Sequence, residues 1–230
     1  MKTIGLIGGM SWESTAHYYT LLNKKVNERL GGHHSAKILL YSIDFEELAN
    51  SQLAEEWDEA GAIVVNAAKR LERGGADFIL IGANTMHIAA EQVEQAVSIP
   101  LLHIADAAGE SILRQGIRRV GLLGTAFTME KGFYKDRLRD KFGLDILVPC
   151  PEHRKLLQGI IYNELVNGIV SQESKAKLRE VIADLTAAGA EGIVLGCTEL
   201  MMTIEQGDSP VPLFDTTTIH SEAAVECALA

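Results

Sequence analysis

The sequence predicts an α/β fold of two pseudo-symmetric lobes with mainly parallel sheets and an active-site cleft between them. Three observations carry this expectation. Short apolar runs alternate with amphipathic stretches of ten or more residues, the spacing that parallel βαβ crossovers need. The pattern restarts near residue 119. Two strand-end motifs also recur at nearly one interval. Ile4-Gly5-Leu6-Ile7-Gly8 returns 116 residues on as Val120-Gly121-Leu122-Leu123-Gly124, and Gly82-Ala83-Asn84-Thr85 returns 114 residues on as Gly196-Cys197-Thr198-Glu199.

Thr3–Ile7 is an apolar strand. Ser14–Leu30 follows as a helix that Ser14 caps and Gly31-Gly32 stops. Lys37–Tyr41 is a strand, Glu55–Arg73 a helix ended by Gly74-Gly75, and Asp77–Ile81 a strand. A helix from His87 to Val97, a short strand Leu101–Ile104 and a helix Ala107–Arg114 complete the first half. The second half runs strand Arg119–Leu123, helix Met129–Phe142, strand Asp145–Val148, helices His153–Val166 and Ser174–Ala188, and strand Gly192–Leu195. Strand Val211–Phe214 and helix Thr218–Leu229 close the chain. This order assigns residues 1–104 and 212–230 to the N-terminal lobe and 105–211 to the C-terminal lobe.

Composition narrows the function. The 230 residues carry a net charge of −10, and aromatics are only 6%, which argues against tracking a phosphate backbone or stacking bases. No nucleic-acid partner is expected. Cys150, Cys197 and Cys227 are widely spaced with no CxxC pair, so neither a cysteine metal site nor a disulfide framework is expected. No apolar run approaches the roughly 20 residues of a membrane span. The expected setting is the reducing cytoplasm, away from membranes.

The candidate functional groups lie at strand ends, where parallel α/β sheets bind their ligands. Cys197 sits at such an end between Gly196 and Thr198, in a turn whose N–H donors are expected to lower its pKa. Asn84, Thr85, Thr198 and Glu199 offer an amide, hydroxyls and a carboxylate there, although Asn and Thr also cap helices. Gly5-x-x-Gly8-Gly9 lacks dinucleotide-fingerprint spacing and reads as a strand-to-helix turn. His87, His103 and His220 follow or end strands with no metal-ligand spacing. Asp106 and Asp215 each follow an apolar run and could orient a histidine, cap a helix or line the cleft.

Taken in order, these segments resemble one family. Ile4-Gly-Leu-Ile-Gly-Gly-Met-Ser-Trp-Glu-Ser-Thr15, Asn84-Thr85-Met86-His87, Gly124-Thr125 with Thr128-Met129, Gly196-Cys197-Thr198-Glu199, and Phe214-Asp215-Thr216 through His220 are similar to the aspartate/glutamate racemases, across nearly the whole chain. The resemblance implies racemisation without pyridoxal phosphate or any other organic cofactor or metal. It also implies two cysteines, one per lobe, flanking the substrate α-carbon. Such a site must supply a base on each face and donors for the charge that grows on the carboxylate. By resemblance the substrate contacts are Met10, Gln52, Asn84, Thr85, Thr125, Thr198 and Glu199. The ligand is a small acidic amino acid and the assembly a homodimer.

The sequence departs from that pattern at one position. Cys197 supplies the second thiol, but Ala83 occupies the place of the first, where some relatives carry threonine. A methyl group can neither take nor give a proton. Three accounts stand. Water or a hydroxyl such as Thr85 replaces the missing thiol, leaving a slow or one-directional enzyme. The alanine is an engineered replacement that silences a racemase. Or a single thiol does other chemistry, as in the decarboxylases and isomerases of the same superfamily. A protein that binds amino acids without turnover is the further alternative. The segment Asp44–Asn50, where an arginine for the side-chain carboxylate is expected, has no cation. Lys131 and Lys155 are the substitutes considered.

Overall fold

The computed structural model describes residues 1–230. The chain divides into two compact units, one of Met1–Ile104 with His220–Ala230, the other of Ala105–Ile219. Every strand pairing in both is parallel.

The first unit has a three-stranded sheet in the order β2-β1-β3, from β1 (Ile4–Gly8), β2 (Ile38–Ser42) and β3 (Phe78–Ile81). Side-chain alternation along a strand divides its residues between two faces. Ile4, Leu6, Phe78 and Leu80 meet Tyr18, Leu22 and Val26 of α1 (Trp12–Leu30) and Ala224, Val225 and Ala228 of α10 (Thr216–Leu229). Ile7, Ile79 and Ile81 meet Val64, Ala67, Ala68 and Leu71 of α3 (Trp57–Arg73) on the opposite face. With both faces covered, the strands read as continuous apolar runs.

The second unit has a four-stranded sheet in the order β5-β4-β6-β7, from β4 (Arg119–Gly124), β5 (Asp145–Leu147), β6 (Gly192–Gly196) and β7 (Leu213–Asp215). The internal repeat is visible in strand order, because β2-β1-β3 and β5-β4-β6 are equivalent. It extends one strand further. Ile79 makes an isolated parallel bridge to Leu101, and its equivalent Ile193 pairs with Leu213 of β7.

Several expectations need correction. The predicted strand Leu101–Ile104 is only that bridge, because α5 (Ile104–Arg114) already starts at its last residue. β7 hydrogen-bonds to β6, so the chain returns to the first unit at His220, not at residue 212. Ser11, not Ser14, caps α1: its Oγ accepts the Ser14 N–H, and Gly31 at φ 72° ends the helix. Residues 45–53, read without structure from the sequence, form α2, capped by Asp44 through the Glu46 N–H. The helix predicted from His87 begins as a 3₁₀ turn, Thr85–Ala89, before α4 (Ala90–Ala96). The predicted helix Met129–Phe142 is two, α6 (Ala126–Glu130) and α7 (Gly132–Phe142), broken where Lys131 turns extended at ψ 151° before a glycine. α8 (Pro151–Asn163) starts two residues early, since Pro151 suits a first helical turn. α9 (Gln172–Ala187) follows it.

Candidate active site

Each unit presents one strand end that carries the predicted chemistry. In the second unit, β4 and β6 run in register to the pair Gly124 and Gly196. The two backbones close tightly there: a Cβ on Gly124 would lie 2.7 Å from the Gly196 carbonyl oxygen. Thr125 and Cys197 follow these glycines and emerge side by side. Thr125 caps α6, its Oγ accepting the Thr128 N–H and lying 3.1 Å from Thr128 Oγ1.

Cys197 is 7% exposed. Its thiol donates to Glu199 Oε2 at 3.0 Å, and Thr198 Oγ1 donates to the same oxygen at 3.0 Å. Thr198 and Glu199 are each 3% exposed, so a thiol, a hydroxyl and a carboxylate share one buried turn. The expected fall in the thiol pKa does not occur. Burial pushes the Cys197 thiol well above its usual range, and the Glu199 carboxylate beside it pushes the same way. The Glu199 backbone N–H opposes this and is outweighed. The resting group is therefore the protonated thiol, with a carboxylate placed to receive its proton.

Tyr162 of α8 belongs to these surroundings, and the sequence analysis did not single it out. Burial pushes its phenol up to about 12, with the negative charge of Glu199, and of Cys197 once that thiol ionises, acting the same way, and Gln158 hydrogen-bonds to it. Gln158 Oε1 in turn accepts the Ala126 N–H at 2.8 Å. The signal available in sequence was the four-residue spacing of Gln158 and Tyr162, which puts both on one helix face.

In the first unit, β3 leads through Gly82 to Ala83, Asn84 and Thr85, all buried. Ala83 shares an apolar cluster with Met10, Ile43, Leu48 and Met86. Gln52 of α2 reaches the same cluster, its Nε2 donating to Met86 Sδ at 3.0 Å. The structure thus gathers Met10, Gln52 and Ala83 around Met86. The glycine turn is internally satisfied: Gly9 at φ 90° donates its N–H to Thr15 Oγ1 at 2.8 Å, and Ile43 N–H donates to the Gly8 carbonyl at 2.9 Å.

The histidines cluster in this unit. His87 and His103 rings lie 4.4 Å apart and His87 and His220 rings 6.1 Å apart. No group of three or more His, Cys, Asp or Glu side chains is arranged to hold a metal ion. Asp106 and Asp215 act structurally. Arg137 grips Asp106 through two bonds of 2.6 and 2.7 Å, with Lys141 at 2.7 Å, while Asp215 accepts the Thr217 N–H at the start of α10. Lys131 is half-buried at the α6–α7 break and Lys155 is exposed on α8.

A family profile described as Asp/Glu/Hydantoin racemase matches residues 7–224. The chain belongs to that racemase family. A candidate Asp/Glu racemase from Yersinia pestis is 48% identical, covers the whole of both chains and superposes with a TM-score of 0.93. An aspartate racemase homologue from Pyrococcus horikoshii OT3 is 39% identical over the whole of both chains, with a TM-score of 0.86. A broad specificity amino-acid racemase of Bacillus subtilis (strain 168) is 25% identical over 99% of this chain and 98% of its own length. Membership in the racemase family makes this protein an isomerase of the amino-acid racemase kind. No helix is long and apolar enough to cross a membrane.

Proposed function

We propose that the protein is a pyridoxal-phosphate-independent amino-acid racemase of the aspartate/glutamate type that works with one thiol. The observation that carries this reading is the buried Cys197–Glu199 pair, 3.0 Å apart, at a strand end of a racemase-family chain. The thiol first passes its proton to Glu199, giving a thiolate and a neutral carboxylic acid. The thiolate then takes the substrate α-proton and becomes a thiol again, leaving a carbanion. Returning that proton, or a solvent-exchanged one, regenerates the amino acid and leaves the thiolate, which takes its first proton back from Glu199 and restores the resting thiol–carboxylate pair. Cys197, Thr198 and Glu199 are buried, which strengthens their charge interactions during the transfer.

In the family pattern Ala83 takes the place of the thiol on the opposite face; its methyl side chain has no exchangeable proton, so delivery there falls to water or to the Thr85 hydroxyl. Exchange at the α-carbon then outruns inversion, and one enantiomer is the better substrate. By the family resemblance, the ligand is a small acidic amino acid contacted by Asn84, Thr85, Thr125 and Thr198, and the assembly is a cytoplasmic homodimer. The lone thiol also suits a second reading, in which decarboxylation of a malonate-like diacid makes the carbanion and Cys197 only protonates it.

Proton NMR of L- and D-aspartate and L- and D-glutamate in D₂O, with wild type and Cys197→Ala, tests the proposal. Loss of an α-proton signal with wild type and its retention with the variant supports it. No exchange with any of the four overturns it, and turnover of malonate-like diacids would favour the second reading.

A further inference from the structure

His87 follows the site turn by four residues and is 2% exposed. Both ring nitrogens are engaged. Nδ1 lies 2.8 Å from the Ala83 carbonyl oxygen, and Nε2 lies 3.2 Å from the Ile104 backbone nitrogen. The backbone decides the tautomer. A backbone N–H can only donate, so Nε2 must be the bare acceptor. A carbonyl can only accept, so Nδ1 must carry the proton. The imidazole is therefore neutral and bound in one orientation, packed against the His103 ring at 4.4 Å.

The grip falls on one informative peptide. Ala83 stands where a second thiol is expected, and its carbonyl belongs to the Ala83–Asn84 peptide. In a planar trans peptide, the Asn84 N–H points opposite to that carbonyl. Holding the carbonyl toward His87 aims the Asn84 N–H and the start of the Thr85 turn the other way. The second bond reaches Ile104, the last residue of the first unit before the chain crosses to the second. One ring thus ties the site turn to the point where the chain leaves this unit.

We propose that His87 is a positioning residue for the racemase reaction, acting through its Nδ1–H bond to the Ala83 carbonyl to fix the Ala83–Asn84–Thr85 turn. This rests on the functional reading above. With no thiol at Ala83, the turn contributes only correctly placed donors, and their placement is what His87 secures. A displacement of reacting groups by about 1 Å is enough to cost on the order of a hundredfold in rate.

Two substitutions separate the two ring bonds. In His87→Asn the amide nitrogen can take the place of Nδ1–H and keep the Ala83 carbonyl bonded, while the Ile104 acceptor is lost. In His87→Gln the longer side chain can offer an oxygen to Ile104, while the Ala83 donor is lost. The measurement is α-proton exchange in D₂O, resolved into kcat and KM, beside the melting temperature of each variant. The proposal predicts kcat within about threefold of wild type for Asn, and a fall of tenfold to a hundredfold for Gln, even where the two melt alike. Equal losses that follow the melting temperatures, or loss in Asn but not Gln, would overturn it. Imidazole ¹⁵N NMR reads the same assignment without activity. An Nδ1–H tautomer at His87, with the Asn84 amide shift kept in Asn and moved in Gln, supports it; an Nε2–H tautomer overturns it. If wild type exchanges no amino acid, the functional reading fails, and the NMR result still decides whether His87 holds the turn.

Discussion

Acid should destabilise the protein through His220, by an amount that follows from its surroundings. The imidazole is fully buried on α10. Its Nε2–H donates to the Leu102 carbonyl at 2.8 Å, and Nδ1 lies 2.9 Å from the Tyr18 hydroxyl. Burial holds its pKa down at about 4, against an ordinary value of 6.5, although the Leu102 bond favours the cation. The native state therefore prefers the neutral ring. As pH falls through the unfolded value, the unfolded chain takes up the proton first. Native stability drains until about pH 4, where the folded ring also binds the proton. The whole difference is worth about 3 kcal/mol, and about 2 kcal/mol of it is gone by about pH 5. Urea unfolding across this range, for wild type and His220→Gln, isolates the contribution. The glutamine amide can still donate to Leu102 but does not titrate, and groups common to both proteins cancel in the difference. The expected result is a stability difference that shifts by about 3 kcal/mol in favour of the variant between neutral pH and about pH 4. Parallel pH curves would refute the reasoning.

Further expectations concern the second unit. Burial raises the Cys197 thiol most and remains in Glu199→Gln, but the variant removes the Glu199 charge that adds to it, so the thiol pKa should fall and alkylation should speed up relative to wild type. The same change removes the proton acceptor, so α-proton exchange should drop by on the order of a hundredfold. Faster alkylation with unchanged exchange would remove Glu199 from the mechanism. Gly124→Ala puts a methyl 2.7 Å from the Gly196 carbonyl oxygen, so β4 and β6 must part at their ends. A loss of about 2 kcal/mol in urea unfolding is expected, with exchange falling more steeply than stability because Cys197 moves with Gly196.

The fold was legible because buried parallel strands leave apolar runs, and because β1 and β4, and β3 and β6, repeat the same strand-to-glycine transition. The elements that escaped are short and depend on tertiary context. Residues 45–53 form a helix only nine residues long, whose Asp44 cap lies among polar residues that also read as a loop. Leu101–Ile104 has strand composition, but the following helix claims Ile104. The family resemblance pointed to Cys197 and Glu199, yet not to their electrostatics. A turn rich in N–H groups lowers a thiol pKa only if nothing opposes it, and here a carboxylate two residues away lies 3.0 Å from the sulfur. Sequence shows the neighbour, not the distance. His87 shows the same limit: four residues of spacing suggest a contact with Ala83, but the tautomer depends on Ile104, far along the chain.

The central claim is that Cys197 moves the α-proton on one face while Ala83 leaves the other face without a thiol. The direct measurement is the ratio of α-proton exchange to inversion, read by NMR in D₂O with chiral separation, for wild type and Ala83→Cys. The account predicts exchange well ahead of inversion in wild type, and a rise in inversion with both enantiomers once the second thiol is present. Equal exchange and inversion in wild type, with no gain from Ala83→Cys, would contradict it.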